Sequence, residues 1–197
     1  LIYLGVAHVL PPSPVPRLII DIGGGSTEFV IGRGFTPERL ESLKLGCVSL
    51  SQRFFPTGAL RAEAFVAAET HARAEIEAIA RDFSRGRWTS AYASSGTALA
   101  LADILEQNGL SAAGITPNGL LRLRKRMVGA GHISRLALAA LKPQRAPVLA
   151  GGLLLVGRNG VLKVAEHHIS LLGDLGHLGG HLLVGRIEEV NHARRPG

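Results

Sequence analysis

Leu18-Ile19-Ile20-Asp21-Ile22-Gly23-Gly24-Gly25-Ser26-Thr27-Glu28-Phe29-Val30-Ile31-Gly32 sets a glycine-rich turn between two apolar, β-branched runs. Strand, tight turn, strand predicts a β-hairpin over Arg17–Asp21 and Thr27–Gly32 rather than a strand–helix unit. Gly23 to Gly25 let backbone N–H groups approach an anion with no Cβ in the way. Ser26 and Thr27 add hydroxyl donors. Asp21 and Glu28 frame the turn with carboxylates suited to a metal ion or to directing a water. Phosphate chemistry needs that set: donors for the oxygens, a cation for the charge and a positioned nucleophile.

Two nucleotide-binding fingerprints fail on this stretch. A dinucleotide turn needs glycine at its sixth position, and counting from Gly23 that position holds Glu28. A Walker loop needs Gly-Lys-Ser/Thr, and no lysine stands here. What remains is an acidic–glycine–hydroxyl hairpin.

Outward from the hairpin, Pro11-Pro12-Ser13-Pro14-Val15-Pro16 reads as an extended connector after a short apolar opening. Arg39–Leu45 alternates in part and is the candidate third strand. Gly46 to Phe55 reads as a short helix. Arg61–Arg85 is the clearest helix, with Phe65, Ala68, Ala72, Ile76, Ile79 and Phe83 in one apolar stripe. Trp88–Ala93 reads as a strand ending at Ser94-Ser95-Gly96-Thr97, and Ala98–Glu106 resumes a helix. A further helix opens at Thr116-Pro117, carries Leu120, Leu123 and Met127, and stops at Gly129-Ala130-Gly131. Val148–Val156 is apolar, and Gly157-Arg158-Asn159-Gly160 interrupts it.

The 197-residue chain has ample apolar content, 46%, for a core, so global disorder is excluded. No run reaches the roughly 18 apolar residues of a membrane helix, so no membrane partner is expected. The single cysteine, Cys47, excludes an internal disulfide and fits a reducing, cytoplasmic compartment; its apolar neighbours predict a buried small hydrophobe. The net charge of +7 draws polyanions, with arginine scattered over the helices. Aromatic content of 5% and the lack of a finger or RNA-binding motif argue against a nucleic-acid polymer as partner. His177 and His181 have i, i+4 spacing, but the two glycines between them argue against a helical metal site.

Other readings stand beside the phosphate one. Glu28 is otherwise a solvated strand-end carboxylate. Asp21 is otherwise a cap of the turn. Ser95-Gly96-Thr97 is either an ordinary helix N-cap or an anion site, and the two overlap.

Ile20–Glu28 resembles, almost residue for residue, the second phosphate-binding motif of the exopolyphosphatase / guanosine pentaphosphate phosphohydrolase family. Supporting stretches follow in order: Glu41–Val48, Gln52-Arg53-Phe54-Phe55, Ala93–Thr97, Gly114–Pro117 and Arg145–Gly152. The resemblance implies an α/β domain of the actin-like ATPase (ribonuclease H-like) superfold, a mixed sheet with flanking helices. It implies a hydrolase releasing terminal phosphate from polyphosphate or the 5′ γ-phosphate of guanosine pentaphosphate, with magnesium. On this chain Glu28 would position or deprotonate the attacking water and Asp21 would sit by the metal. The amides of Gly23, Gly24 and Gly25 and the hydroxyls of Ser26 and Thr27 would bind phosphate. Ser95, Gly96 and Thr97 would line the opposite side of the cleft. Full-length members of the family are expected to be homodimers.

Three departures shape the remaining expectations. The family's first phosphate loop and another catalytic glutamate lie in an N-terminal lobe, so residues 1–156 are expected to be the second lobe alone, with weak or no activity. Where the family carries a nucleotide-side motif this chain reads Gly173–Gly180, and the helix before it is broken at Gly157. Residues 157–197 are therefore expected to be either a degenerate segment or one frameshifted over about 157–184. A non-catalytic anion- or nucleotide-binding module and an actin-like-fold kinase are the rival classes.

Overall fold

The computed structural model describes residues 2–84, 86–157 and 184–187, the last four and Ile2 by backbone alone. A five-stranded sheet in the order β3-β2-β1-β4-β5 organises them. β1 (Arg17–Ile22), β2 (Thr27–Arg33) and β3 (Thr36–Leu43) form an antiparallel meander. β4 (Ser90–Ser94) lies parallel to β1 on its other side, and β5 (Val184–Ile187) runs antiparallel to β4. The predicted hairpin is thus present, with β1 as the central strand. Its runs Leu18-Ile19-Ile20 and Phe29-Val30-Ile31 are buried on both faces, as a sheet covered on two sides requires.

The even-numbered residues of β1 face the larger core. Leu18, Ile20 and Ile22 join Phe29, Ile31, Ala91 and Ala93 beneath the helices α2 (Cys47–Phe54), α3 (Ala62–Ala80), α4 (Gly96–Gln107) and α6 (Leu149–Val156). The predicted stripe from Phe65 to Phe83 is buried throughout. Phe65 lies against Phe55 with ring centroids 4.8 Å apart, and such a ring buried in full contributes about 2–3 kcal/mol. The odd face carries α1 (Ile2–Val9), whose Tyr3 and Val6, with Leu10, pack on Ile19, Val30 and Tyr92. The Tyr3 hydroxyl donates to Gly34 O at 3.0 Å and ties α1 to the β2–β3 turn. The apolar opening is therefore a helix, stopped by the following prolines.

Several boundaries differ from the sequence reading. The third strand runs Thr36–Leu43, not Arg39–Leu45. It is an exposed edge, so no burial pattern marks it, and pairing with β2 sets its limits. The long helix ends at Ala80, short of Arg85. Beyond it Asp82 is drawn to Arg39 at 2.7 Å, and Phe83 O accepts from Trp88 Nε1 at 2.8 Å. Trp88 belongs to the core, as expected. α4 opens two residues earlier than read, at Gly96, because Ser95 Oγ accepts from Ala98 N at 3.0 Å. α5 (Pro117–Ala130) is capped by Thr116 Oγ1, which accepts from Gly119 N, and ends at Gly131 in the left-handed region. No described helix is long and apolar enough to cross a membrane. Apart from β5, the segment after residue 157, with the histidine spacing at His177 and His181, falls outside the described residues.

Candidate phosphate site at the carboxyl edge of the sheet

β1 and β4 are parallel neighbours, so the turn after β1 and the loop after β4 emerge at the same edge of the sheet. Ligands of open α/β sheets bind outside the carboxyl ends of such strands. The turn Gly23–Ser26 is closed by Gly23 N donating to Ser26 O at 2.8 Å. Its carbonyls point at α2: Gly23 O accepts from Cys47 N at 3.0 Å, and Gly24 O accepts from Val48 N at 2.9 Å and Ser49 N at 3.1 Å. The first amides of α2, which need acceptors, therefore fix the turn. Gly46 lies so close to the Gly24–Gly25 peptide that a Cβ there would collide with it.

With its carbonyls turned inward, the turn presents N–H groups outward. Among the described residues the amides of Gly24, Gly25 and Ser26 have no acceptor. Gly24 and Gly25 are exposed, and nothing lies within 4 Å of where a Cβ on Gly25 would stand. Successive free amides at an open turn form an anion-binding concavity.

The carboxylates stand beside it. Asp21 pairs in register with Glu28 on β2 and Ser94 on β4, and Glu28 pairs in turn with Ser42 on β3. Paired residues share a face, so these side chains project from the odd face, the one that α1 packs on. Ser26 Oγ donates to Glu28 Oε1 at 2.5 Å and Ser42 Oγ donates to the same oxygen at 3.0 Å. Two hydroxyls thus pin Oε1 and leave Oε2 for a water or a cation. Asp21 is pushed up to about 6, first by burial and second by the charge of Glu28. Its carboxyl therefore titrates close to neutrality.

The loop after β4 is joined to the turn through Cys47. Thr97 Oγ1 lies 3.5 Å from Cys47 Sγ, and Cys47 is buried as the sequence predicted. Two expected roles change. Thr27 is 0% exposed and its hydroxyl donates to Leu45 O at 2.6 Å, so it braces the loop before α2 instead of facing a phosphate. Thr97 is likewise buried, its hydroxyl turned to sulfur. Ser95 is the N-cap of α4, as its alternative reading held. Sequence reasoning missed Ser42, which lies far from Glu28 in sequence, and Arg145, whose guanidinium rests where a Cβ on Gly96 would be.

Two carboxylates with unfavourable mutual charge suit a cation. Magnesium is bound through one or two carboxylates with the rest of its shell from water and phosphate, so Asp21 and Glu28 fit that ion. Among the described residues no group of three or more His, Cys, Asp or Glu forms a closed metal cage.

Comparison with known proteins places this arrangement. The profile of the Ppx/GppA phosphatase family matches residues 1–172. The chain belongs to that family. A guanosine-5′-triphosphate,3′-diphosphate pyrophosphatase of Vibrio parahaemolyticus is 40% identical over 152 residues, covering 77% of this chain and 30% of that protein. The protein of the same name from Photobacterium profundum is 38% identical over 153 residues, again 30% of its length. The chain therefore spans about 30% of these curated relatives. Among solved structures, an exopolyphosphatase from Cytophaga hutchinsonii superposes with a TM-score of 0.63 at 26% identity, covering 82% of this chain and 54% of that one. The Aquifex aeolicus Ppx/GppA phosphatase gives 0.61 at 20% identity, covering 83% and 54%. The fold is accordingly the expected α/β, actin-like one, as in other Ppx/GppA structures. The family match extends into the segment expected to be frameshifted, which lies mostly outside the described residues.

Proposed function

We propose that this chain is the phosphate-gripping lobe of a phosphohydrolase that releases a terminal phosphate from inorganic polyphosphate or the 5′ γ-phosphate from guanosine pentaphosphate. The observation that carries the reading is the juxtaposition of three outward amides with two neighbouring carboxylates at one sheet edge. The names of the relatives point to the same substrates.

The amides of Gly24, Gly25 and Ser26 hold the non-bridging oxygens of the terminal phosphate, where charge is spread in the transition state. Glu28, its Oε1 fixed by Ser26 and Ser42, offers Oε2 to the attacking water and sets its line of approach. Asp21, with a carboxyl near 6, holds or releases a proton at neutral pH beside it. Asp21 and Glu28 are the residues that would hold magnesium, which would supply neutralising charge for the phosphate oxygens.

Phosphate release from polyphosphate and from guanosine pentaphosphate, with magnesium, by the chain and by Glu28→Gln tests the reading. Activity lost in the variant supports it. Phosphate binding with no release from either substrate indicates a binding module, and ATP consumption tied to an acceptor indicates a kinase.

A further inference from the structure

The sheet ends on β3, and that edge is open. Among the described residues β3 has β2 on one side and no strand on the other. It is the longest strand of the described sheet, eight residues, and all but its last are exposed. A long open edge presents a row of unpaired N–H and C=O groups, which folded proteins cover or guard. At its middle stands Leu40, 62% exposed, more than any other large apolar side chain described. Leu40 pairs with Val30 and so lies on the face that α1 packs on. Its neighbours Arg39 and Glu41 pair with Ile31 and Phe29 and lie on the opposite face. Arg39 bonds Asp82 at 2.7 Å, and among the described residues Glu41 has no cation partner.

Two copies joined at this edge by a two-fold axis run antiparallel, each face of one sheet continuing into the same face of the other. Directly opposed residues share a face, so the axis passes through a residue position and matches residues at equal distances from it. Few registers remain. With the axis at Arg39 or at Glu41, like charges oppose each other. At Glu38, glutamate opposes glutamate beside Pro37, which has no N–H for the ladder. Glu38 is also the bulged residue, the one without a partner on β2. At Ser42, Leu40 opposes Lys44 and no charges are matched. With the axis at Leu40, that leucine meets its own copy, Arg39 meets Glu41 and Glu41 meets Arg39. Opposed unlike charges stabilise a strand pair and opposed like charges weaken it. A charge of one sign guards an edge in every register. Charges of both signs placed either side of one leucine guard it in every register but one.

We propose that β3 is a docking edge for a second copy of this chain, paired antiparallel about Leu40 so that the two sheets join into one. The two cross-edge Arg39–Glu41 pairs set the register, and Leu40 against Leu40 covers the apolar side chain that each copy exposes. Read backwards, Arg39-Leu40-Glu41 is its own complement, which an unrelated extended peptide is not, although such a peptide matches the backbone of the edge. Each β3 is used once, so the assembly closes at two copies. Nothing in the proposal depends on the phosphate-site reading.

The test is sedimentation equilibrium of the full chain over a protein concentration series, with thermal melts to show that each variant folds. The parent should pass from monomer to dimer. Arg39→Glu and Glu41→Arg each turn both cross-edge pairs into like-charge pairs and should raise the dissociation constant about thirtyfold. Arg39→Glu also removes the bond to Asp82, and Glu41→Arg does not, so a loss shared by both is not owed to that bond. An equal mixture of the two variants should associate as the parent does, because each charge again meets its opposite. The double variant should do the same. Leu40→Lys, at an exposed position that cannot upset the core, sets two ammonium groups against each other and should also give monomer. Val66→Lys, at an exposed apolar position on α3, should leave the dimer intact. A parent that stays monomeric overturns the proposal. So does a dimer that Leu40→Lys and Glu41→Arg leave unchanged, a mixture of the two charge variants that stays monomeric, or growth beyond two copies.

Discussion

Replacing Asp21 with Asn should stabilise the chain at neutral pH, although it removes a candidate functional group. Asp21 sits on the central strand opposite Glu28, and burial plus that neighbouring charge lift its carboxyl from 3.8 to about 6. The folded state thus holds the proton more tightly than the unfolded state. A group raised in this way contributes stability that is fully present below about pH 4 and is lost as pH rises through about 6. Ionising it in place at pH 7.5 costs about 3 kcal/mol unscreened, at about 1.4 kcal/mol per pKa unit. Asp21 is half-buried, so solvent screening brings the figure to about 1.5 kcal/mol. Asn keeps the shape and carries no charge, so it avoids this cost. For a domain of this size the melting temperature should rise by roughly 3–6 °C at pH 7.5, and the difference should vanish near pH 4. Thermal melts of both proteins from about pH 4 to about pH 8, without divalent cations, measure this. A variant less stable than the parent at pH 7.5, or a difference independent of pH, would refute the charge-repulsion reasoning. In a Glu28→Gln background the gain from Asp21→Asn should shrink, because one of its two causes is gone.

Magnesium should act on the same pair. Raising it to tenfold over its Kd should stabilise the parent by about 1.4 kcal/mol, seen as a higher melting temperature, and Asp21→Asn should abolish most of that shift. Ser42→Ala removes one of two hydroxyls on Glu28 Oε1. In the phosphate-release assay kcat should fall about tenfold, as loss of one charge-assisted hydrogen bond implies, with KM unchanged and Thr restoring most of the rate. A change in KM alone would remove Ser42 from the positioning role. Gly46→Ala drives a methyl into the Gly24–Gly25 peptide and should cost about 2–3 kcal/mol in urea melts, together with loss of phosphate binding. A silent substitution there would show that the turn is not held by α2.

The parts legible in the sequence are those settled by near neighbours. The hairpin follows from β-branched runs on either side of three glycines. The stop of α5 follows from Gly131, and the stripe from Phe65 to Phe83 follows from spacing alone. One correction was also within reach. Side chains alternate along a strand, so if Glu28 faces the turn's open side, Thr27 must face inward, where it is found bonded to Leu45 O. Thr97 offered no such signal, since its inward course depends on Cys47, fifty residues away. The exposed β3 has no burial pattern, and Pro37, Glu38 and Glu41 weaken its strand propensity, so only pairing with β2 defines it.

The sequence by itself determined the chemistry of the turn, because glycines, hydroxyls and carboxylates within nine residues cannot move far apart. The tertiary structure decided which of those groups face outward. It brought Ser42 onto Glu28, set Asp21 against a like charge and turned the Gly23 and Gly24 carbonyls into α2. Each of these depends on strand register or on packing between segments distant in the chain, and neither is written in local order.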